Sequence, residues 1–239
     1  NLNLNENDMV ALANRMIQQQ IAEPTSVENV RAQLQGTDQW MKAPNGQPTN
    51  LTEQQWLQVR APEFKQWFGD WENSPETASK VVDENGEPQV VYHGTSSQFT
   101  RFKLGGGLLG RGVYLTDRYE EAQNYAGSRS QDSEGTVMPL FANIPEMFNS
   151  NSKTTREQIV GAMQDGFNGI RHQFNNMDYL VAFNPEQVKS AVGNTGLFSS
   201  QDTDIRFSRQ ANAQQIIQNL VSNMNKQGRD KLKTEAGYK

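Results

Sequence analysis

One stretch of this chain, Val91–Ala126, gathers residues suited to handling a flat polar ligand. It holds one of only two histidines (His93), a glycine cluster, and two tyrosines eleven positions apart, Tyr114 and Tyr125. An imidazole titrates near neutral pH and can donate or accept at a ring nitrogen. Two phenol rings can hold a planar polar ring between their faces, and Gly94 lets backbone approach such a ring closely. The flanking text supplies elements to position these groups. Val90-Val91-Tyr92 is β-prone and runs into His93-Gly94-Thr95, and Gly112-Val113-Tyr114-Leu115-Thr116 is a second β-prone run. Asp117 is placed to cap a helix over Arg118–Tyr125. A histidine therefore ends one strand, a tyrosine sits on the next, and a second tyrosine follows one short helix later.

Between them, Gly105-Gly106-Gly107-Leu108-Leu109-Gly110 fits the spacing G-x-G-x-x-G. That pattern cradles a dinucleotide phosphate only when a strand precedes it, a helix follows at once, and an acid lies about 20 residues on. The text after Gly110 is strand-like instead, so the cluster reads as a mobile loop bordering a ligand cleft.

The chain has 239 residues, enough for one good-sized domain with appendages. Hydrophobic residues make up 35%, low for a compact globule, and the polar excess lies at the two ends. The net charge of -5 argues against a dedicated nucleic-acid binder. With no cysteine there is no disulfide, thiol nucleophile or zinc–thiolate site. No Asp/His set has metal-ligand spacing, and no metal is expected. Neither a signal peptide nor an apolar run near 18 residues is seen, so no membrane partner is expected. The chain opens at Asn1 without a methionine and reads as a piece of something longer.

In chain order, helical spacing predicts a helix over Glu6–Ile21 and a second over Val27–Gln35, followed by a linker at Ala43–Asn50. Thr52 should cap Glu53–Val59, and Pro62 should open Glu63–Trp67. Trp56, Phe64, Trp67, Phe68 and Trp71 read as an aromatic core bracing the domain rather than a ligand cage, because no charge interleaves them. Asn85-Gly86 marks the turn of a hairpin from Ser79–Val82 to Pro88–Tyr92, whose second arm delivers His93. Gly127–Gly135 reads as a solvated loop, Val137–Ala142 as a strand and Arg156–Gln164 as a helix. Gly166–Gln173 and Asp178–Phe183 form a hairpin turning at Asn175-Asn176, and Pro185–Ala191 holds one helical turn before a last strand. After Ser208, Ile216, Ile217, Leu220, Val221 and Met224 mark one more helix.

The ordered set His93-Gly94-Thr95, Gly110–Asp117 (GRGVYLTD) and Ala122–Ala126 (AQNYA) resembles the NAD-binding core of ADP-ribosyltransferases of the His-Tyr-Glu clade, which includes diphtheria toxin and the poly(ADP-ribose) polymerases. Trp56–Trp71, Ser79–Thr95 and Phe183–Ser208 resemble, more closely still, the ADP-ribosyltransferase domains of the polyvalent proteins of phages and mobile elements. The resemblance spans Trp56–Ser208. It implies an α+β fold with two small antiparallel sheets around an NAD cleft. Residues 51–208 form that domain, an aromatic brace at 51–75 and a catalytic core at 76–208, between a helical appendage at 1–50 and a helical tail at 209–239.

By the same resemblance, the His93 imidazole binds the adenosine-side ribose, and Gly94 and Thr95 hold the nicotinamide end. Tyr114 and Tyr125 sandwich the nicotinamide ring, and Gly112 avoids crowding it. The acid falls at Asp178 (NNMDYLVAF), one methylene shorter than the glutamate usual in the family, with Glu186 as runner-up. Asn175–Met177, just before it, is where substrate selection is expected. Ala122 replaces a serine common in poly(ADP-ribose) polymerases, removing a hydrogen bond of about 1 kcal/mol. The implied activity is mono-ADP-ribosyl transfer, a glycosyl (pentosyl) transfer with NAD as co-substrate. The implied acceptor is a macromolecule, protein rather than nucleic acid, in the cytoplasm of a bacterial host into which a phage or mobile-element effector is injected or in which it is made. An NAD glycohydrolase, or a catalytically weak pseudo-enzyme that binds NAD or a partner, is the alternative.

Overall fold

Side-chain chemistry local to the sequence starts two of the α-helices. Thr52 accepts from the Gln55 backbone N–H while the Gln55 side-chain oxygen accepts from Thr52 N–H, opening the helix Glu53–Arg60. Thr155 and Gln158 make the same reciprocal pair for Arg156–Gln164. Pro62 sits in the first turn of Pro62–Phe68, where a missing N–H leaves no bond unmade. The computed structural model describes residues 26–128, 135–194 and 198–206, within the compact unit Ser26–Phe207. In chain order the described helices are α1 (Ser26–Leu34), α2 (Glu53–Arg60), α3 (Pro62–Phe68), α4 (Tyr119–Ser128) and α5 (Arg156–Gln164). The helices expected over Glu6–Ile21 and around Ile216–Met224, and positions 129–134 of the Gly127–Gly135 loop, lie outside the described residues.

Eight strands follow the aromatic helices: β1 (Val91–Thr95), β2 (Gly105–Gly107), β3 (Gly110–Thr116), β4 (Thr136–Ala142), β5 (Met147–Ser150), β6 (Gly169–Phe174), β7 (Met177–Ala182) and β8 (Val188–Ser190). They hydrogen-bond in the order β5-β6-β7-β3-β1-β4-β8, with β2 on β3. This corrects the expectation of two separate antiparallel sheets in two ways. The ladder is one continuous path, and β5 runs parallel to β6, because α5 carries the chain back across before β6 begins. The path is nevertheless thin at its middle. β1 pairs with β4 over five residues, and β3 with β7 over four, but β1 and β3 share a single register pair, Tyr92–Thr116.

Two turns behave as their residues dictate and one does not. Asn175 and Asn176 both take positive φ (49° and 57°), the two-residue turn whose twist suits the β6–β7 hairpin. Gly86 is also left-handed (φ 81°), but the expected hairpin around it shrinks to one bridge, Val82–Pro88, closed by Asp83 N–H to Glu87 O at 2.8 Å and Gln89 N–H to Val81 O at 3.0 Å. The glycine cluster, expected as a loop, supplies β2 and its turn onto β3.

The aromatic residues form a brace under α2 and α3. Phe64 is fully buried and touches Trp67, Phe68, Phe141 and Phe198 with ring centroids 4.9–5.6 Å apart. The brace does contain a charge, contrary to expectation. The Arg60 guanidinium lies 4.0 Å from the Trp56 ring centroid and 5.2 Å from that of Trp71, and it donates to the fully buried Glu87 carboxylate at 2.8 Å. The cage is thus filled by the chain's own cation. Phe64→Ala should cost about 3–5 kcal/mol in denaturant unfolding; a loss below about 1 kcal/mol would contradict a close-packed brace.

Candidate active site

The His93 ring stands where β1 leaves β3. Its Nδ1 is 2.7 Å from the carbonyl oxygen of Tyr114, two residues along β3 from the last shared rung. A carbonyl only accepts, so Nδ1 carries a proton, and in the neutral ring Nε2 is the accepting nitrogen. Phe102 meets the imidazole edge-on at 4.9 Å and 88°, with Phe99 behind it at 6.1 Å. These phenylalanines are held from far along the chain. Ile205 N–H donates to Thr100 O at 2.8 Å while Ile205 O accepts from Ser190 N–H at 2.8 Å, strapping the loop after β1 to β8. Lys189, buried from solvent, donates to the backbone carbonyls of Asp202 and Asp204 and fixes that strap; burial lowers its pKa.

Gly94 is where α4 presses on β1. A Cβ there would lie 1.8 Å from the carbonyl oxygen of Ala122 and 2.9 Å from Ala126 N. Gly112 likewise lies against β7, where a Cβ would sit 2.4 Å from Val181 Cγ1 and 2.5 Å from Ala182 O. Strand packing alone therefore demands glycine at 112. Thr95, the last residue of β1, pairs with Thr136, and its hydroxyl accepts from Ser97 N–H and donates to Ser97 O.

Tyr114 donates its hydroxyl to Gly110 O at 2.7 Å and accepts from Leu109 N–H at 3.1 Å, so the phenol pins the β2–β3 turn; burial raises its pKa. Leu108, at the tip of that turn, is 94% exposed. Tyr125 lies on α4 and is 47% exposed. Below it Tyr179, on β7, donates to Glu121 Oε1 at 2.8 Å. Burial and that carboxylate push the Tyr179 pKa to about 12, so it stays a donor at any working pH.

Asp178 begins β7. Asp117 clasps it: Asp117 Oδ1 accepts from Asp178 N–H at 3.0 Å, and Asp117 N–H donates to Asp178 O at 3.1 Å. The residue expected to cap α4 is thus used to fix the acid. Desolvation raises the Asp178 pKa, Arg171 lowers it, and Asp117 raises it, for a net upward shift. Glu186 lies elsewhere. Its carbonyl accepts from Trp67 Nε1 at 3.1 Å, and its charge acts on Lys189, placing it against the brace and β8.

Strand alternation divides these groups between the two faces of the sheet. Tyr92, Thr116 and Tyr179 are in register, so Gly94, Tyr114 and Tyr179 lie on the face that α4 covers. His93, Leu115, Leu180 and Asp178 lie on the other. Two strand spacings and two residues of rise put His93 and Asp178 roughly 12 Å apart along that face. Asp178 lies level with Asp117 and Val91, on the paired side of the Tyr92–Thr116 rung, whereas His93 and Tyr114 lie where β1 and β3 part. Two hollows lie outside this place. One, of about 510 Å³, is lined by Val30, Trp56, Arg60 and Lys65, and the other, of about 470 Å³, by Lys80, Met147 and Arg171. Among the described residues no His, Asp and Glu cluster is placed to hold a metal, and no helix is long and apolar enough to cross a membrane.

Residues 83–160 match the model of a family described as ADP-Ribosyltransferase in polyvalent proteins. This is the family the motifs resemble. The matched stretch is about a third of the chain. It runs from the turn before β1 into α5 and contains His93, Gly94, Thr95, Gly112, Tyr114 and Tyr125; Asp178 and Glu186 fall beyond it. No curated protein matches the chain. The match supports an ADP-ribosyltransferase, and its span coincides with the elements that line the gap between β1 and β3. Sequence reading missed Arg171, Phe102, Lys189 and the strap. The strap residues Asp202–Ile205 fall within the Phe183–Ser208 stretch that carries the family resemblance. Gly94→Ala should speed amide hydrogen exchange along α4 while leaving the β6–β7 hairpin protected; unchanged exchange in α4 would contradict the close contact.

Proposed function

We propose that this chain is a mono-ADP-ribosyltransferase that breaks the nicotinamide–ribose bond of NAD and joins ADP-ribose to a macromolecule of a bacterial host. The observation that supports this is the gap between β1 and β3, where His93 Nδ1 reaches the Tyr114 carbonyl within the family-matched stretch. In this reading His93 Nε2 accepts from a hydroxyl of the adenosine-side ribose, because Nδ1 is committed to Tyr114 O. Gly94 and Thr95 offer β1 backbone to the carboxamide. Tyr114 and Tyr125, both on the α4 side, flank the nicotinamide ring. The bonding electrons leave with nicotinamide, positive charge grows on the ribose, and the carboxylate of Asp178 stabilises that charge. The acceptor's nucleophile then bonds to the ribose carbon and gives up its proton. In this reading the chain is a phage or mobile-element effector working in the cytoplasm of its host, as its resemblance to the polyvalent-protein domains implies. The net charge of -5 favours a protein acceptor over a nucleic acid.

Incubation with labelled NAD and a bacterial lysate should label a discrete macromolecule, and the His93→Ala/Tyr114→Ala double variant should not. Free ADP-ribose without a labelled acceptor would favour a glycohydrolase, and neither label nor nicotinamide release would overturn the enzyme reading. Asp178→Ala should lower turnover by about 10²-fold with unchanged unfolding; full turnover would remove Asp178 from the mechanism. Because the Asp178 pKa is raised and the carboxylate is the working form, the rate should fall with decreasing pH already above the ordinary aspartate range. A rate flat down to that range would contradict the assignment.

A further inference from the structure

The acid at the start of β7 does not stand alone. In the β6–β7 register Gln173 faces Asp178 directly, and Arg171 is the diagonal neighbour on the same face. Diagonal positions are about 7–8 Å apart at the backbone, within reach of arginine but not of most side chains. Arg171 covers that distance: its Nε lies 3.2 Å from Asp178 Oδ2. Its other end is anchored, since Nη2 donates to Lys80 O at 2.8 Å. The guanidinium therefore bridges the segment before β1 to the acid on β7. The contact is an ion pair without hydrogen-bond geometry: Nε is buried and makes no hydrogen bond among the described residues. Both side chains are about a quarter exposed, so the pair is only partly screened by water.

We propose that Arg171 is a positioning residue that keeps the Asp178 carboxylate charged and directed along the His93 face without using up its hydrogen-bond-accepting oxygens. Aspartate, shorter than glutamate and rooted in a strand, loses solvation where it sits. A fixed cation beside it offsets that loss. Because no hydrogen bond from Nε ties the carboxylate down, its oxygens remain able to accept from a ribose hydroxyl, which in this respect rests on the function proposed above. The other charges facing Asp178 are Asp117, at the end of β3, which opposes ionisation, and Arg118, on the far side of Asp117 with Nε 3.7 Å from Asp117 Oδ2. Glu121, on α4, is engaged by Tyr179. On β6, therefore, Arg171 is the cation that favours the charged form.

The test is a carbon-13 NMR titration of the Asp178 carboxyl in the full chain, run beside pH–rate profiles for wild type, Arg171→Gln and Arg171→Lys. Arg171→Gln should move the Asp178 titration to higher pH, and the acid limb of the rate should move with it; Arg171→Lys should restore much of both. Coincident titrations in wild type and Arg171→Gln would overturn the proposal, as would an Arg171→Gln rate lowered equally at every pH. If Arg171→Gln fails to fold, raising ionic strength on the wild type gives the same readout: the titration should move upward as salt screens the pair, and an unmoved curve would overturn the proposal. A shifted titration with no NAD turnover in any variant would leave the pairing standing and sink the transferase reading instead.

Discussion

Everything around the candidate site depends on one weak seam. β1 and β3 share a single rung, Tyr92–Thr116, and then part, each remaining bound to its outer neighbour. The gap is held by a side chain, with the His93 imidazole reaching the Tyr114 carbonyl that a regular ladder would have paired with backbone. An unbroken sheet would keep Tyr114 and His93 on opposite faces with no route between them. Parting the strands opens the sheet between residues of its two faces.

The rest of the chain can be understood as what keeps that gap in shape. From one side α4 presses against Gly94 so closely that no side chain fits. From the other, Ile205 ties the Phe99–Phe102 loop to β8, and Lys189 ties the strap to the sheet. Asp117 joins the end of β3 to the start of β7, so the acid is carried by two strands. The brace under α2 and α3 meets the sheet through Phe141, and through Trp67 at the Glu186 turn. Burial of the aromatic rings supplies most of the rigidity there.

Much of this was legible in the sequence because it is local. Capping residues, Pro62 and the Asn175-Asn176 turn announce themselves within four positions, and β1, β3, β4 and β7 were read from β-prone runs. What escaped was either non-local or short. β5 has four residues, and each of its parallel partners on β6 lies 22 positions on, from Met147–Gly169 to Ser150–His172. Arg171 reads as an ordinary surface residue of a hairpin until the register shows its diagonal to Asp178. Arg60 was passed over as a charge within the brace because it falls at the end of α2, and only the fold closes Trp56 and Trp71 around it. The glycine cluster misled in another way: its pattern suggests phosphate binding, yet its glycines serve a tight strand pair topped by the Tyr114 hydroxyl.

The most direct test is to titrate the amide and aromatic NMR signals of the chain with NAD. The account expects saturable shifts centred on His93, Gly94 and Thr95 of β1, Tyr114 of β3 and Tyr125 of α4, with signals from both faces of the sheet moving together. Shifts confined to the hollow beside Trp56 and Arg60, or no saturable shift at millimolar NAD, would contradict it.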